Sequence, residues 1–362
     1  MSSNRRILAT SLAVLTTFAT LAGCSRAGGD DTSAAPAASD DKGPAAEVRL
    51  GYFPNVTHAA ALIGVDKGLF AKELGSTKLT TQTFNAGPDE VNALLGGSLD
   101  VAFIGSGPAI NAYAKSKGEA VRLVAGATSG GAQLVVKSDI NSAADLKGKT
   151  ISTPQLANTQ DVSFKKWLVD QKFAVGSAPD QVNVTNTENA ASLDLFKQGG
   201  IQGAWAPEPW SSRLVIDAGA KVLVDEKTLW DQGKFPTTVI IVRTQFLKEH
   251  PQTVEALLKG EVAAIDWAVN NKAEAKTAVN ESLKKLTSKA LGEPVLDRAF
   301  ENIELTVDPQ AKHFPQLAKD AVTAGVAKEA ADVTGFADFT LLNKVLSAAG
   351  KPTVDTAGLD KK

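Results

Sequence analysis

An α/β protein of two lobes is the architecture this sequence predicts, and three observations carry it. Short strand-like apolar runs alternate with helix-period segments from about residue 47 to residue 243. One such run, Thr238 to Val242, reads as a strand returning to an earlier sheet. More than 300 residues follow the N-terminal leader, enough for two domains with cores of their own.

Residues 1–23 have the form of an export signal. Arg5 and Arg6 supply a positive start, Ile7 to Leu21 a short apolar stretch, and Ala22 and Gly23 the small residues before a cleavage point. The apolar stretch is too short to span a bilayer comfortably. Leu21-Ala22-Gly23-Cys24 resembles a bacterial lipobox, which implies lipidation of Cys24, the chain's single cysteine, and anchorage to the outer face of the cell membrane. An ordinary signal peptide with an incidental cysteine is the alternative. Either way the body of the protein has no disulfide and no catalytic thiol. Beyond Cys24, residues 24–46 are mainly Ser, Ala, Gly, Pro, Asp and Lys with no large apolar residue, the composition of a flexible tether.

The expected strands are Val48 to Phe53, Leu79 to Phe84, Asp100 to Ile104, Val121 to Ala127, Lys149 to Ser152, Val182 to Thr185, Ile201 to Trp205, Lys221 to Val224 and Thr238 to Val242. Helical stretches between them include Ala59 to Leu74, Pro88 to Leu95, Thr159 to Gln171 and Pro207 to Ala218. From Thr244 to about Ala349 the pattern is almost wholly helical, with Pro251 suited to a first helical turn. Because Thr238 to Val242 returns to the first sheet, residues 47–137 and 238–362 make lobe I and residues 138–237 make lobe II. Crossings at Gln133 to Lys137 and Thr237 to Arg243 form a two-strand hinge.

Composition excludes several function classes. Lys and Arg number 38 against 40 Asp and Glu, and loss of Arg5 and Arg6 with the leader takes the formal charge from −2 to −4. Such a balance, without a basic run, gives no electrostatic case for nucleic acid. His58, His250 and His313 are the only histidines and lack metal-ligand spacing. Phosphate-binding loops, dinucleotide fingerprints and nucleophile elbows are missing, so no metal, no cofactor and no ordinary enzyme chemistry is indicated.

Four strand-to-helix junctions share one design. They are Tyr52 to His58, Phe103 to Pro108 through Gly105-Ser106-Gly107, Ser152 to Gln160, and Trp205-Ala206-Pro207-Glu208-Pro209-Trp210. In open α/β sheets such turns lie at the carboxyl ends of strands, where ligands bind. Free N–H groups and the positive helix end there favour a small anion without Lys or Arg. Each junction also has a bland account. Strand-to-helix turns need Gly, Pro and capping residues merely to turn, His58 and Trp205 suit a core, and Glu208 suits a solvated first helical turn.

Taken together, Leu50-Gly51-Tyr52-Phe53-Pro54-Asn55-Val56-Thr57-His58, Lys67-Gly68-Leu69-Phe70, Asn85-Ala86-Gly87, Gly97 to Ala102 and Asp145 to Lys149 resemble the periplasmic or lipoprotein substrate-binding components of ABC importers for nitrate, sulfonate and taurine. The resemblance runs to at least His250. It implies a periplasmic-binding-protein-like fold of type II, working as a monomer with an ABC permease, whose lobes close over an anion. Carried over by position, it implies ligand contacts from Thr57, His58, Gly105, Ser106, Gly107, Gln155, Asn158, Thr159, Trp205 and Glu208, with Trp205 packing on the organic part of a sulfonate.

Glu208-Pro209-Trp210 is similar to a run in nitrate and bicarbonate binders, whereas Ala206 and Pro207 depart from it. The opening turn and overall length are closer to aliphatic sulfonate binders. An aliphatic sulfonate is thus the expected cargo, with nitrate, bicarbonate or another small oxyanion as the alternative. A thiamine-pyrimidine-synthase-like enzyme is the alternative of another class, and its histidine-rich site is missing here.

Overall fold

The structure, a computed structural model, describes residues 40–361. The leader, Cys24 and the tether up to residue 39 lie outside the described residues. Among the described residues, eleven strands run β1 Glu47–Tyr52, β2 Lys78–Thr83, β3 Val101–Gly105, β4 Val121–Gly130, β5 Ala132–Val136, β6 Thr150–Thr153, β7 Asn183–Asn186, β8 Gly203–Pro207, β9 Lys221–Asp225, β10 Pro236–Arg243 and β11 Ile303–Leu305. They form a six-stranded sheet in the order β11-β4-β10-β3-β1-β2 and a five-stranded sheet in the order β7-β6-β8-β5-β9.

Burial follows position in each sheet. The central strand β3 is buried throughout, as expected where helices cover both faces. At the edge, β2 (Lys78-Leu79-Thr80-Thr81-Gln82-Thr83) is mostly exposed and polar, which discourages pairing with another chain. The returning strand β10 lies antiparallel between β3 and β4, with Ile240 opposite Phe103 and Ala125. In the second sheet, β6 pairs parallel to β7 and β8, while β5 runs antiparallel between β8 and β9. Side chains alternate across β8: Trp205 joins Phe164 and Trp167 on one face, and Ala204 and Ala206 join Leu193, Phe196 and Leu214 on the other.

Several elements depart from the sequence expectation. Ala132–Val136 pairs within the five-stranded sheet, so the first crossing falls at Gly130 and Gly131, which adopt φ of +71° and +82°. The stretch from Ala59 to Leu74 is two helices, Ala59–Asp66 and Leu69–Leu74, separated at Gly68 with φ +66°. Helix Trp210–Ala218 starts later than expected because β8 continues to Pro207. The tail is not wholly helical, since β11 pairs antiparallel with residues 128–130 of β4.

Part of the expected tether is also anchored. The Lys42 N–H donates to the Glu249 carbonyl at 2.7 Å and the Ala45 N–H to Thr253 Oγ1 at 2.8 Å.

Candidate functional site

Between the ends of the two sheets lies a cavity of about 20 Å³. Four helix starts surround it. The turn after β1 brings Phe53, Asn55, Thr57 and His58, and Gly105 ends β3 ahead of helix Ser106–Lys115. Asn158, Thr159 and Gln160 open helix Thr159–Asp170, and Asn189 opens helix Asn189–Gln198. Asn85, Pro207 and the crossing-strand residues Thr237 and Thr238 complete the wall. No charged side chain lines it. An anion held here would be met by hydroxyls, amides, an imidazole and the positive ends of helices.

His58 is the wall's distinctive group. The Phe53 N–H donates to His58 Nδ1 at 3.3 Å, and since a backbone N–H can only donate, Nε2 carries the ring proton. Burial pushes the imidazole pKa down to about 3, so the ring is neutral near pH 7 and still a donor. Its ring lies 4.4 Å from that of Phe53. Thr57 is fixed through its carbonyl, which accepts from Thr128 Oγ1 at 2.7 Å.

Turns from the two sheets meet beside the cavity. The Gly107 N–H donates to Thr159 Oγ1 at 3.2 Å. A Cβ at Gly105 would lie 2.4 Å from that hydroxyl oxygen, so glycine is what allows the approach. Asn158 Oδ1 accepts from the Thr159 N–H at 2.6 Å and caps the helix. At the rim, Gln155 Nε2 donates to Asp89 Oδ2 at 3.2 Å.

Of the ten sequence-derived candidates, Thr57, His58, Gly105, Asn158 and Thr159 line the cavity together. Gly107 and Gln155 join the facing turns, and Ser106 is buried with its hydroxyl unpaired. Trp205 does not reach the site. It is 0% exposed, with ring centroids 5.8 Å from Phe164 and 6.2 Å from Trp167, because strand parity turns it toward helix Thr159–Asp170.

Glu208 is likewise neither solvated nor on the cavity wall. Fully buried, it accepts from Ser211 Oγ at 2.6 Å, Asn302 Nδ2 at 2.6 Å and Arg298 at 3.3 Å. Its N–H donates to the Gly131 carbonyl at 2.8 Å, and its carbonyl accepts from Thr57 N–H at 3.4 Å. Glu208 thereby ties the crossing and the tail to the turn that carries His58. Trp210 adds to this joint by donating Nε1–H to Asn55 Oδ1 at 2.9 Å.

Asn55, Asn85, Gln160, Asn189, Thr237 and Thr238 are wall residues that the candidate set missed. Asn55 and Gln160 stood inside recognised junctions, and Asn85 inside a matched segment. Asn189 follows β7 at a fifth strand-to-helix junction of the same kind. Thr237 and Thr238 lie on the returning strand, where the junction pattern offers no signal.

Two α/β units joined by crossing strands, with strand ends facing across a small polar cavity, define a two-lobed periplasmic-binding-protein-like fold of type II. The chain belongs to the NMT1-like family, whose profile matches residues 41–282. It is similar to the taurine-binding periplasmic protein of Escherichia coli (strain K12), at 31% identity over 198 residues. That match covers 54% of this chain and spans 58% of the relative's length. The fold is similar to the alkanesulfonate-binding protein of Xanthomonas axonopodis pv. citri bound to MOPS, with a TM-score of 0.65, 19% identity and coverage of 79% and 96% of the two chains. It is similar also to the periplasmic nitrate-binding protein of Synechocystis PCC 6803, with a TM-score of 0.70, 17% identity and coverage of 85% and 90%.

Proposed function

We propose that this protein is the extracytoplasmic solute-binding component of an ABC importer, capturing an aliphatic sulfonate by its anionic head and delivering it to a membrane permease. The observation that carries this reading is the charge-free, donor-rich cavity built where helix starts from both halves converge. His58 Nε2–H, the Thr57 and Thr159 hydroxyls and the neighbouring amides serve as donors to the oxyanion. Closure of the lobes around the anion stabilises the folded chain by mass action. Taurine binding by the E. coli relative supports the sulfonate class. The leader and Cys24 support export and lipid anchorage, and the protein acts as a monomer without nucleic acid. As part of the same proposal, the lobe built on the six-stranded sheet moves against the lobe built on the five-stranded sheet, the chain crossing at Gly130–Gly131 and again ahead of β10.

Nitrate, bicarbonate or another small oxyanion is a second reading, favoured by a specific observation. The cavity is small, and Trp205 supplies no aromatic wall for an organic tail. Calorimetric titration with ethanesulfonate, taurine, bicarbonate and nitrate separates the two. Saturable binding of sulfonates supports the first reading, binding of nitrate or bicarbonate alone replaces it with the second, and binding of none removes both.

A further inference from the structure

A much larger space adjoins the anion cavity. A groove of about 970 Å³ is lined on one side by helices Ser106–Lys115 and Phe314–Thr323 and by residues 326–334. Helix Thr159–Asp170 and residues 226–231 line the other. Thr159 borders both spaces, and the Gly107–Thr159 hydrogen bond marks the boundary between them. The volume lies within the usual range for small-molecule sites.

Its chemistry is the reverse of the cavity's. Carboxylates outnumber the two lining lysines, Lys117 and Lys166, and Trp167 and Trp230 contribute aromatic surface. Most of these acids have partners: Asp170 pairs with Lys166, Asp231 with Lys312, and Asp320 accepts from Gln316 Nε2 at 2.8 Å. Glu226 does not. It is 0% exposed, and neither carboxyl oxygen has a hydrogen-bond partner. Burial drives its pKa up to about 8, with the nearby Ser163 and Trp205 side chains tempering the rise. Across the groove, buried His313 also leaves Nε2 unpaired, with its ring edge-on to Trp230 at 5.1 Å. Unmatched buried polar atoms are costly, and a donor arriving from the groove removes that cost.

We propose that this groove is a second ligand site, separate from the anion cavity, for an organic amine whose N–H groups pair with the Glu226 carboxyl and whose apolar body lies against Trp167 and Trp230. Burial keeps the free Glu226 carboxyl mostly protonated near pH 7; an arriving ammonium favours its ionised form and gains as well from the aromatic faces. The proposal stands independently of what the anion cavity binds.

The test is calorimetric titration of the full chain with phenethylamine and with N-acetylphenethylamine, which keeps the ring but loses the charge, each with and without ethanesulfonate. The expected result is saturable binding of the amine, at least tenfold weaker binding of the acetylated compound, and no competition from ethanesulfonate. Glu226→Gln weakens amine binding at least tenfold and Trp230→Leu several-fold. Absence of saturable amine binding, equal affinity for the acetylated probe, or displacement by ethanesulfonate overturns the proposal. Should Glu226→Gln fail to fold, comparison of the two probes on the unmodified protein still decides.

Discussion

The turn at 53–58 and the turn at 205–210 each follow a buried strand and lead into a helix, yet Thr57 and His58 line the cavity whereas Trp205 and Glu208 are buried in protein. In the first turn the chain leaves β1 through a short 3-10 turn at Val56–His58, which presents consecutive side chains to the space between the sheets. In the second, strand parity sends Trp205 into the core, and four donors close around Glu208. Similar junction chemistry thus yields a binding wall in one place and a structural joint in the other. Which one results depends on what faces the turn, and that is set by tertiary packing.

The largest expected effects lie in the structural turn. Trp205→Ala removes a fully buried indole and should cost about 3–5 kcal/mol of stability. Glu208→Ala leaves Arg298 and Asn302 without their carboxylate and should cost about as much, roughly 3–5 kcal/mol. Denaturant unfolding measures both losses. Anion affinity of the folded Trp205 variant should stay within about threefold of the parent, and a loss of tenfold or more would place Trp205 back in the site.

Acidification is the next lever. With a folded-state pKa near 3 against an ordinary 6.5, His58 binds a proton more readily in the unfolded chain. Its contribution is present above pH 6.5 and is lost as pH falls toward 3, by about 1.4 kcal/mol per pH unit within that window. Buried Glu90 and Glu261, pushed well above the usual carboxylate range, act in the opposite sense: their contribution is complete below 4.5 and is lost as pH rises. The difference between parent and His58→Leu, followed by thermal unfolding from pH 7 to 4.5, isolates the histidine. Equal pH slopes in the two proteins would show that His58 is not held neutral by burial.

Smaller effects sharpen the comparison further. Removal of the ring donor in His58→Leu should weaken anion binding at neutral pH about tenfold, near 1.4 kcal/mol. Trp210→Phe deletes the hydrogen bond to Asn55 and should cost about 1 kcal/mol of stability with a modest affinity loss. An affinity loss larger than that of His58→Leu would instead assign Trp210 to the site.

Legibility in the sequence tracks local determination. Helix Thr159–Asp170 was readable because Asn158 caps it through its own side chain, and β10 because Thr238 to Val242 is a continuous apolar run. Strand β11 was not, since Ile303-Glu304-Leu305 is three residues long and becomes a strand only by lying beside β4. The break at Gly68 turned on one positive φ inside a helical pattern. At the site, the turns around His58 and Thr159 carried visible junction chemistry. The inward face of Trp205 did not show, because all five residues of Gly203–Pro207 are buried and no polar alternation marks a side. Thr237 and Thr238 reach the cavity only because β10 crosses back beneath it, a consequence of topology that composition does not record.

One measurement bears most directly on the claim that neutral donors at facing helix starts hold an anion: calorimetric titration of ethanesulfonate and nitrate into the parent protein, Thr159→Ala and Trp205→Phe. Thr159→Ala removes the hydroxyl that lines the cavity and meets Gly107, whereas Trp205→Phe keeps the core filled with an aromatic ring. The account predicts at least tenfold weaker binding for Thr159→Ala and no more than a threefold change for Trp205→Phe. Unchanged affinity in Thr159→Ala together with a loss in Trp205→Phe would contradict it.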